Sequence, residues 1–135
     1  MRPDDIALLD RFECRAIPRA EWTHAMHVRV GWCALERHGL AGAIAFMRDG
    51  VCALNDANGV ANTADAGYHE TITIAWLRLI DAARCAAPAP DSEAFLAGHP
   101  TLLRPDAVLD HYSRDLLMGR EARRAWVEPD LRPLP

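Results

Sequence analysis

The chain has 135 residues, half of them hydrophobic and a quarter charged, a composition typical of a globular protein with a core of ordinary size. Its net charge of −4 argues against a protein that binds nucleic-acid phosphates. All 15 basic residues are arginines, which excludes a lysine Schiff base, a lysine general base and a P-loop lysine. Neither a signal-peptide pattern nor an apolar run of roughly 20 residues is present. We therefore expect one cytoplasmic domain over residues 1–135 that binds neither nucleic acid nor membranes.

The first two thirds of the chain predict four main helices, because apolar residues recur at steps of three and four. Thr23 is a suitable N-cap for the second helix, and Gly39 is expected to end it in the left-handed conformation. The longest loop is predicted at residues 55–67, which are rich in Asn, Asp and Gly. The four helices are predicted at residues 3–12, 23–38, 40–54 and 68–86.

The last third of the chain predicts shorter elements separated by prolines. Ser92 is expected to cap a helix over residues 92–96, and Pro105 to open another that runs to residue 111 or 112. Gly119 precedes a final short helix over residues 120–126. No segment alternates polar and apolar residues with period two. The predicted fold is therefore all-α, a bundle of about four main helices with two or three short ones.

Two short histidine motifs carry the strongest chemical indication in the sequence. They are Thr23-His24-Ala25-Met26-His27 and Tyr68-His69-Glu70-Thr71, and each opens a predicted helix. Residues three apart in a helix lie about 60° apart around the axis, so His24 and His27 can face a common point. In an up-down bundle the second and fourth helices run parallel, which would bring His69 to the same end.

Three converging imidazoles favour a divalent metal, zinc or iron, held by His24, His27 and His69. The positive end of a helix keeps histidine neutral, which is its metal-binding state. Glu70 is a candidate fourth ligand, a partner for a ligand histidine, or a general base acting on bound water. An open metal position would suit hydrolysis, and oxygen-dependent chemistry on iron is the less supported variant.

Alternatives without metal stay open at this point. The histidines can be structural, in a small-molecule-binding or dimerising helical module. They can also line a metal-free pocket that binds an organic acid or acts as acid and base. His111 and Tyr112 are weaker candidates for the same pocket, and Arg123 is a candidate inward anchor because it precedes Trp126 by three positions. The two serines lack a GxSxG context, and no GxGxxG or P-loop appears.

These residues resemble the pattern of a family of small, uncharacterised bacterial helical proteins. The resemblance covers nearly the whole chain and implies an all-helical fold and a set of candidate residues, but no known activity. The family usually has serine where this chain has Gly119. A further resemblance, in the use of three histidines, is to DinB-type helical-bundle metal hydrolases, whose motif order differs. The matching segments are Trp22-Thr23-His24-Ala25-Met26-His27, Tyr68-His69-Glu70-Thr71, and Ala122-Arg123 with Pro129-Asp130.

Overall fold

A computed structural model describes residues 1–135 and confirms the predicted all-α fold, with six α-helices, three 3-10 turns and no strand. The helices are α1 (Pro3–Glu13), α2 (His24–Ala57), α3 (Glu70–Ala86), α4 (Ser92–Gly98), α5 (Arg114–Leu117) and α6 (Arg120–Arg124). The 3-10 turns are Arg19–Glu21, Pro100–Leu103 and Ala107–Asp110. None of the helices combines the length and hydrophobicity that crossing a membrane requires.

Helix α2 is bent into two segments at Gly39, which has φ of 69° and ψ of 179°. This backbone conformation is accessible almost only to glycine, because any Cβ would clash with the neighbouring peptide. The predicted positive φ at Gly39 is confirmed, but the helix resumes at the next residue without a loop. Residues 24–38 are called the N-terminal segment of α2 below, and residues 40–57 its C-terminal segment.

The N-terminal segment of α2 runs through the middle of the molecule. Residues 30–35 are all buried, because α1, α3 and α4 pack around the segment. A helix that is hydrophobic on every side belongs in such a central position. Large side chains from three of these helices, Phe12, Trp32 and Phe95, are fully buried in the same core.

The N-terminal segment of α2 and helix α3 run parallel, as the bundle topology predicts. A Cβ placed on Gly31 would lie 3.2 Å from Ile80 Cδ1, so the small residue allows the two helices a close approach. In the contacts between the two helices, the residue numbers increase together along α2 and α3. In order, the contacts are His24–Trp76, Gly31–Ile80 and Glu36–Arg84.

The C-terminal third covers a second side of α3 with short elements, and here the sequence prediction was partly wrong. The predicted helix from Pro105 is only a 3-10 turn, Ala107–Asp110, and helix α5 was not predicted. Asp91, not Ser92, caps α4 with its side chain. Within this third, α4 packs in the main core through Phe95, whereas residues 107–135 are held by a small second core rather than by helical periodicity. That core consists of Ala75, Val108, Tyr112, Leu117 and Leu134.

Candidate functional site

A cavity of about 520 Å³ lies between the two segments of α2 and helix α3. Its volume falls within the roughly 300–1,000 Å³ of ordinary small-molecule sites. Ten of its 19 lining residues are hydrophobic. Helix α3 exposes one strip to this cavity because its other two sides are packed against α2 and the C-terminal third. The main apolar walls are Trp22, Val28, Met47, Val51, Ile72, Trp76, Leu77 and Ile80.

All three histidines predicted from the sequence line this cavity, but they are not grouped as a metal site requires. The ring of His24 packs edge-on against Trp76, with centroids 4.6 Å apart. Trp76 lies seven residues beyond His69, which corresponds to about 10 Å along a helix that rises 1.5 Å per residue. No group of three or more His, Cys, Asp or Glu side chains has an arrangement that could hold a metal ion.

His69 is the N-cap of α3, and both of its ring nitrogens are engaged with the backbone. Nδ1 accepts a hydrogen bond from the Ile72 amide at 3.1 Å, and Nε2 donates to the Leu117 carbonyl at 2.7 Å. Burial lowers the pKa of His69, and the nearby Arg123 charge acts in the same direction against the Leu117 hydrogen bond. The ring therefore offers no free lone pair to a metal. Metal binding through His69 stays a prediction that requires one of these bonds to break.

His24 and His27, in the first turn of α2, are held differently. His27 Nδ1 donates to the Thr23 carbonyl at 2.8 Å, and His24 Nε2 donates to the Leu102 carbonyl at 2.9 Å. In each ring the other nitrogen makes no hydrogen bond within the protein. Burial lowers the pKa of His27, and the neighbouring His24 also lowers it, while the hydrogen bond to Thr23 opposes both. This pair therefore brings two available imidazole nitrogens to the cavity wall.

Glu70, predicted as a general base or metal partner, does not line the cavity. Arg48 holds its carboxylate through two guanidinium nitrogens, Nε to Oε1 at 3.1 Å and Nη2 to Oε2 at 2.8 Å. The Tyr68 hydroxyl also donates to Oε1, at 2.6 Å. Burial tends to raise the pKa of Glu70, but the hydrogen bonds from Arg48 and Tyr68 lower it overall. A carboxylate held this way is a weak base. Its ion pair with Arg48 joins the C-terminal segment of α2 to the start of α3.

Two residues outside the histidine motifs hold the segment before α3, and one of them, Arg123, lines the cavity. Nη1 of Arg123 donates to the Gly67 carbonyl at 2.8 Å and the Tyr68 carbonyl at 3.3 Å. Asn62 accepts from the Tyr68 amide and donates to the Cys52 carbonyl, which fastens the loop to the C-terminal segment of α2. The Asn-rich composition predicted a loop here. It does not reveal these partners, which are distant in sequence.

His111 and Tyr112 do not reach the cavity. Tyr112 is fully buried in the second core, and its hydroxyl donates to the Val127 carbonyl at 2.7 Å. His111 Nδ1 lies 3.1 Å from the carbonyl oxygens of Arg132 and Pro133. Both residues thus fasten the C-terminal tail to the rest of the molecule. Their contacts are structural, and neither residue contributes to the cavity.

Comparison of the chain with protein families, curated proteins and solved structures gives no match in any of the three. The resemblance to a family of small bacterial helical proteins therefore stays an expectation. The geometry of the cavity is what supports a function.

Proposed function

We propose that this protein binds a small, mainly apolar organic molecule in the cavity between α2 and α3. The observation that carries the proposal is the cavity itself, about 520 Å³ in volume with aromatic and aliphatic walls. Burial of apolar ligand surface against such walls contributes roughly 25 cal/mol per Å² before the costs of binding are subtracted.

The few polar groups at the cavity wall are held in place before any ligand arrives. His24 and His27 are each fixed by a backbone carbonyl, and Arg123 is fixed by two. Side chains that are already ordered lose little conformational entropy on binding, which favours affinity. A mainly apolar site with a small number of fixed polar groups is typical of small-molecule binding.

Filling the cavity from its wall tests the proposal. Ile72 lines the cavity, whereas Ile74, two residues further along α3 and equally half-buried, does not. Ile72→Trp should weaken retention of naphthalene in equilibrium dialysis by about tenfold or more. The indole takes the ligand's space, and the binding free energy lost with the buried contact area should exceed about 1.4 kcal/mol. Ile74→Trp is the matched control and should change retention by less than about twofold.

Two results would contradict this function. One is wild-type protein that retains no naphthalene. The other is an equal loss of retention in both tryptophan variants, which would place the bound molecule elsewhere. Circular dichroism of each variant establishes that α3 is still helical, so a failure to fold is recognised as such.

A metal-dependent hydrolase, also predicted from the sequence, remains the second candidate. It is favoured by one observation: His24 and His27 each donate one ring N–H to a carbonyl, as metal-bound histidines do. This candidate function predicts near-stoichiometric zinc or iron in protein purified without a histidine tag. Both His27→Ala and His69→Ala should then remove the metal, and metal content that neither variant changes would reject this ligand set.

A further inference from the structure

The tautomers of His24 and His27 follow from their backbone partners. A carbonyl oxygen can only accept a hydrogen bond, so His27 must carry its proton on Nδ1, and His24 must carry its proton on Nε2. A neutral imidazole with one nitrogen protonated has a lone pair on the other. The free positions are therefore Nε2 of His27 and Nδ1 of His24.

The surroundings keep His27 in this neutral state. Its ring lies against Trp22, with centroids 3.8 Å apart, in the first turn of α2. A positive helix end and an apolar neighbour both disfavour the imidazolium ion. At neutral pH the Nε2 of His27 is a hydrogen-bond acceptor.

The cavity carries one positive charge, and that charge is only partly engaged. Arg123 is the one cationic residue among its lining residues; its Nη1 donates to the Gly67 and Tyr68 carbonyls, whereas its Nε and Nη2 make no hydrogen bond within the protein. A carboxylate, which only accepts hydrogen bonds, would face acceptor nitrogens on the histidine side of the cavity. A hydroxyl or N–H group would instead find a partner there.

From these observations we infer that the molecule bound in this cavity is an uncharged hydrogen-bond donor, such as a phenol, alcohol or N–H heterocycle. Its donor group bonds to Nε2 of His27, and its apolar body lies between the two segments of α2 and α3. The inference rests on the proposed function, and it predicts that organic acids, whose carboxylate would find a donor at Arg123 but not at the histidine side, are not the preferred class of ligand.

Three compounds with the same ring system and different substituents distinguish a neutral donor, an apolar ligand and an anion. They are 2-naphthol, which donates a hydrogen bond, 2-methylnaphthalene, which is apolar, and 2-naphthoate, which is an anion. In equilibrium dialysis at neutral pH, 2-naphthol should bind about fivefold more tightly than 2-methylnaphthalene, the worth of one neutral hydrogen bond. The anion should bind most weakly.

Replacement of one ring tests the assignment to the histidines. His27→Phe keeps an aromatic ring against Trp22 and removes the acceptor, so the preference for 2-naphthol should fall to within about twofold of 2-methylnaphthalene. His99→Phe is a matched control. Its Nδ1 also donates to the carbonyl four residues earlier, at 2.8 Å from Phe95 O, and its ring also stacks on an aromatic, but it lies outside the cavity. The control should leave the preference intact.

The outcomes distinguish this inference from the proposed function. Tightest binding of 2-naphthoate would overturn the inference and assign the dominant role to Arg123. Equal binding of all three compounds, or a preference that persists in His27→Phe, would also overturn it while the apolar binding site stands. If none of the three is retained, the proposed function fails and this inference fails with it.

Discussion

The start of α2 and the start of α3 both carry histidines, yet they leave the ring nitrogens in opposite states. At α2, the Thr23 side chain accepts from the Met26 amide and caps the helix, so His24 and His27 each keep one nitrogen free. At α3, His69 itself is the cap, and both of its nitrogens bond to the backbone. The difference has two sources: the cap bond occupies Nδ1 of His69, and a tertiary contact to the Leu117 carbonyl occupies its Nε2.

The largest effect that this comparison predicts is the loss of His69. His69→Ala removes the cap of α3 and leaves the buried Leu117 carbonyl without its donor. A lost cap costs about 1 kcal/mol and an unsatisfied buried group about 1–3 kcal/mol, so unfolding in urea should show a loss of about 2–4 kcal/mol.

Two variants sharpen that measurement. His69→Asn restores a favoured cap residue but cannot reach the Leu117 carbonyl, so only the contribution of the cap, about 1 kcal/mol, should return. His27→Ala should cost less than about 1 kcal/mol, because the Thr23 carbonyl still accepts from the His27 amide at 3.0 Å. Equal losses at His27 and His69 would show that the two helix starts do not differ as described.

Acidification should weaken the protein through the same residues. Burial lowers the pKa of both His27 and His69 below their ordinary value of 6.5. Below about pH 6.5 the unfolded chain therefore binds more protons than the folded one, and stability must fall as pH falls. The stabilising contribution is complete above pH 6.5 and is lost on the way down to the folded-state pKa values. Urea unfolding between about pH 7 and pH 5, where carboxylates stay mostly ionised, should show this decline.

The fall in the free energy of unfolding from pH 7 to pH 5 should become shallower in His69→Asn, and shallower again when His27→Phe is added. A wild-type stability that stays level between pH 7 and pH 5 would contradict the description of buried neutral rings. An undiminished slope in the double variant would assign the titration to other groups.

Local pattern was enough to predict much of the fold. The apolar periodicity located α1, α2 and α3, and Gly39 and Thr23 act at the positions predicted for them. Bundle topology also predicted the parallel run of α2 and α3. The register between them could not be predicted, because it depends on Gly31 meeting Ile80, a contact between residues 49 apart.

The candidate site was predictable in its residues and not in its connections. His24, His27 and His69 do share a cavity. The partners of His24 and His69 are the backbone carbonyls of Leu102 and Leu117, far along the chain, and any residue type would supply a carbonyl there. The carboxylate of Glu70 likewise looks available in the sequence because Arg48, which holds it, lies 22 residues away.

A smaller effect than that of His69→Ala is expected at the other cap. Thr23→Ala removes one hydrogen bond, from the Met26 amide at 3.3 Å, at an exposed position. It should lower stability by about 1 kcal/mol, less than His69→Ala, because water can satisfy the freed amide. His27 should keep its orientation, since its partner is the Thr23 backbone carbonyl and not the hydroxyl. The preference for 2-naphthol over 2-methylnaphthalene should therefore survive in dialysis, and its loss would mean that the threonine side chain, rather than the backbone, holds the acceptor nitrogen in place.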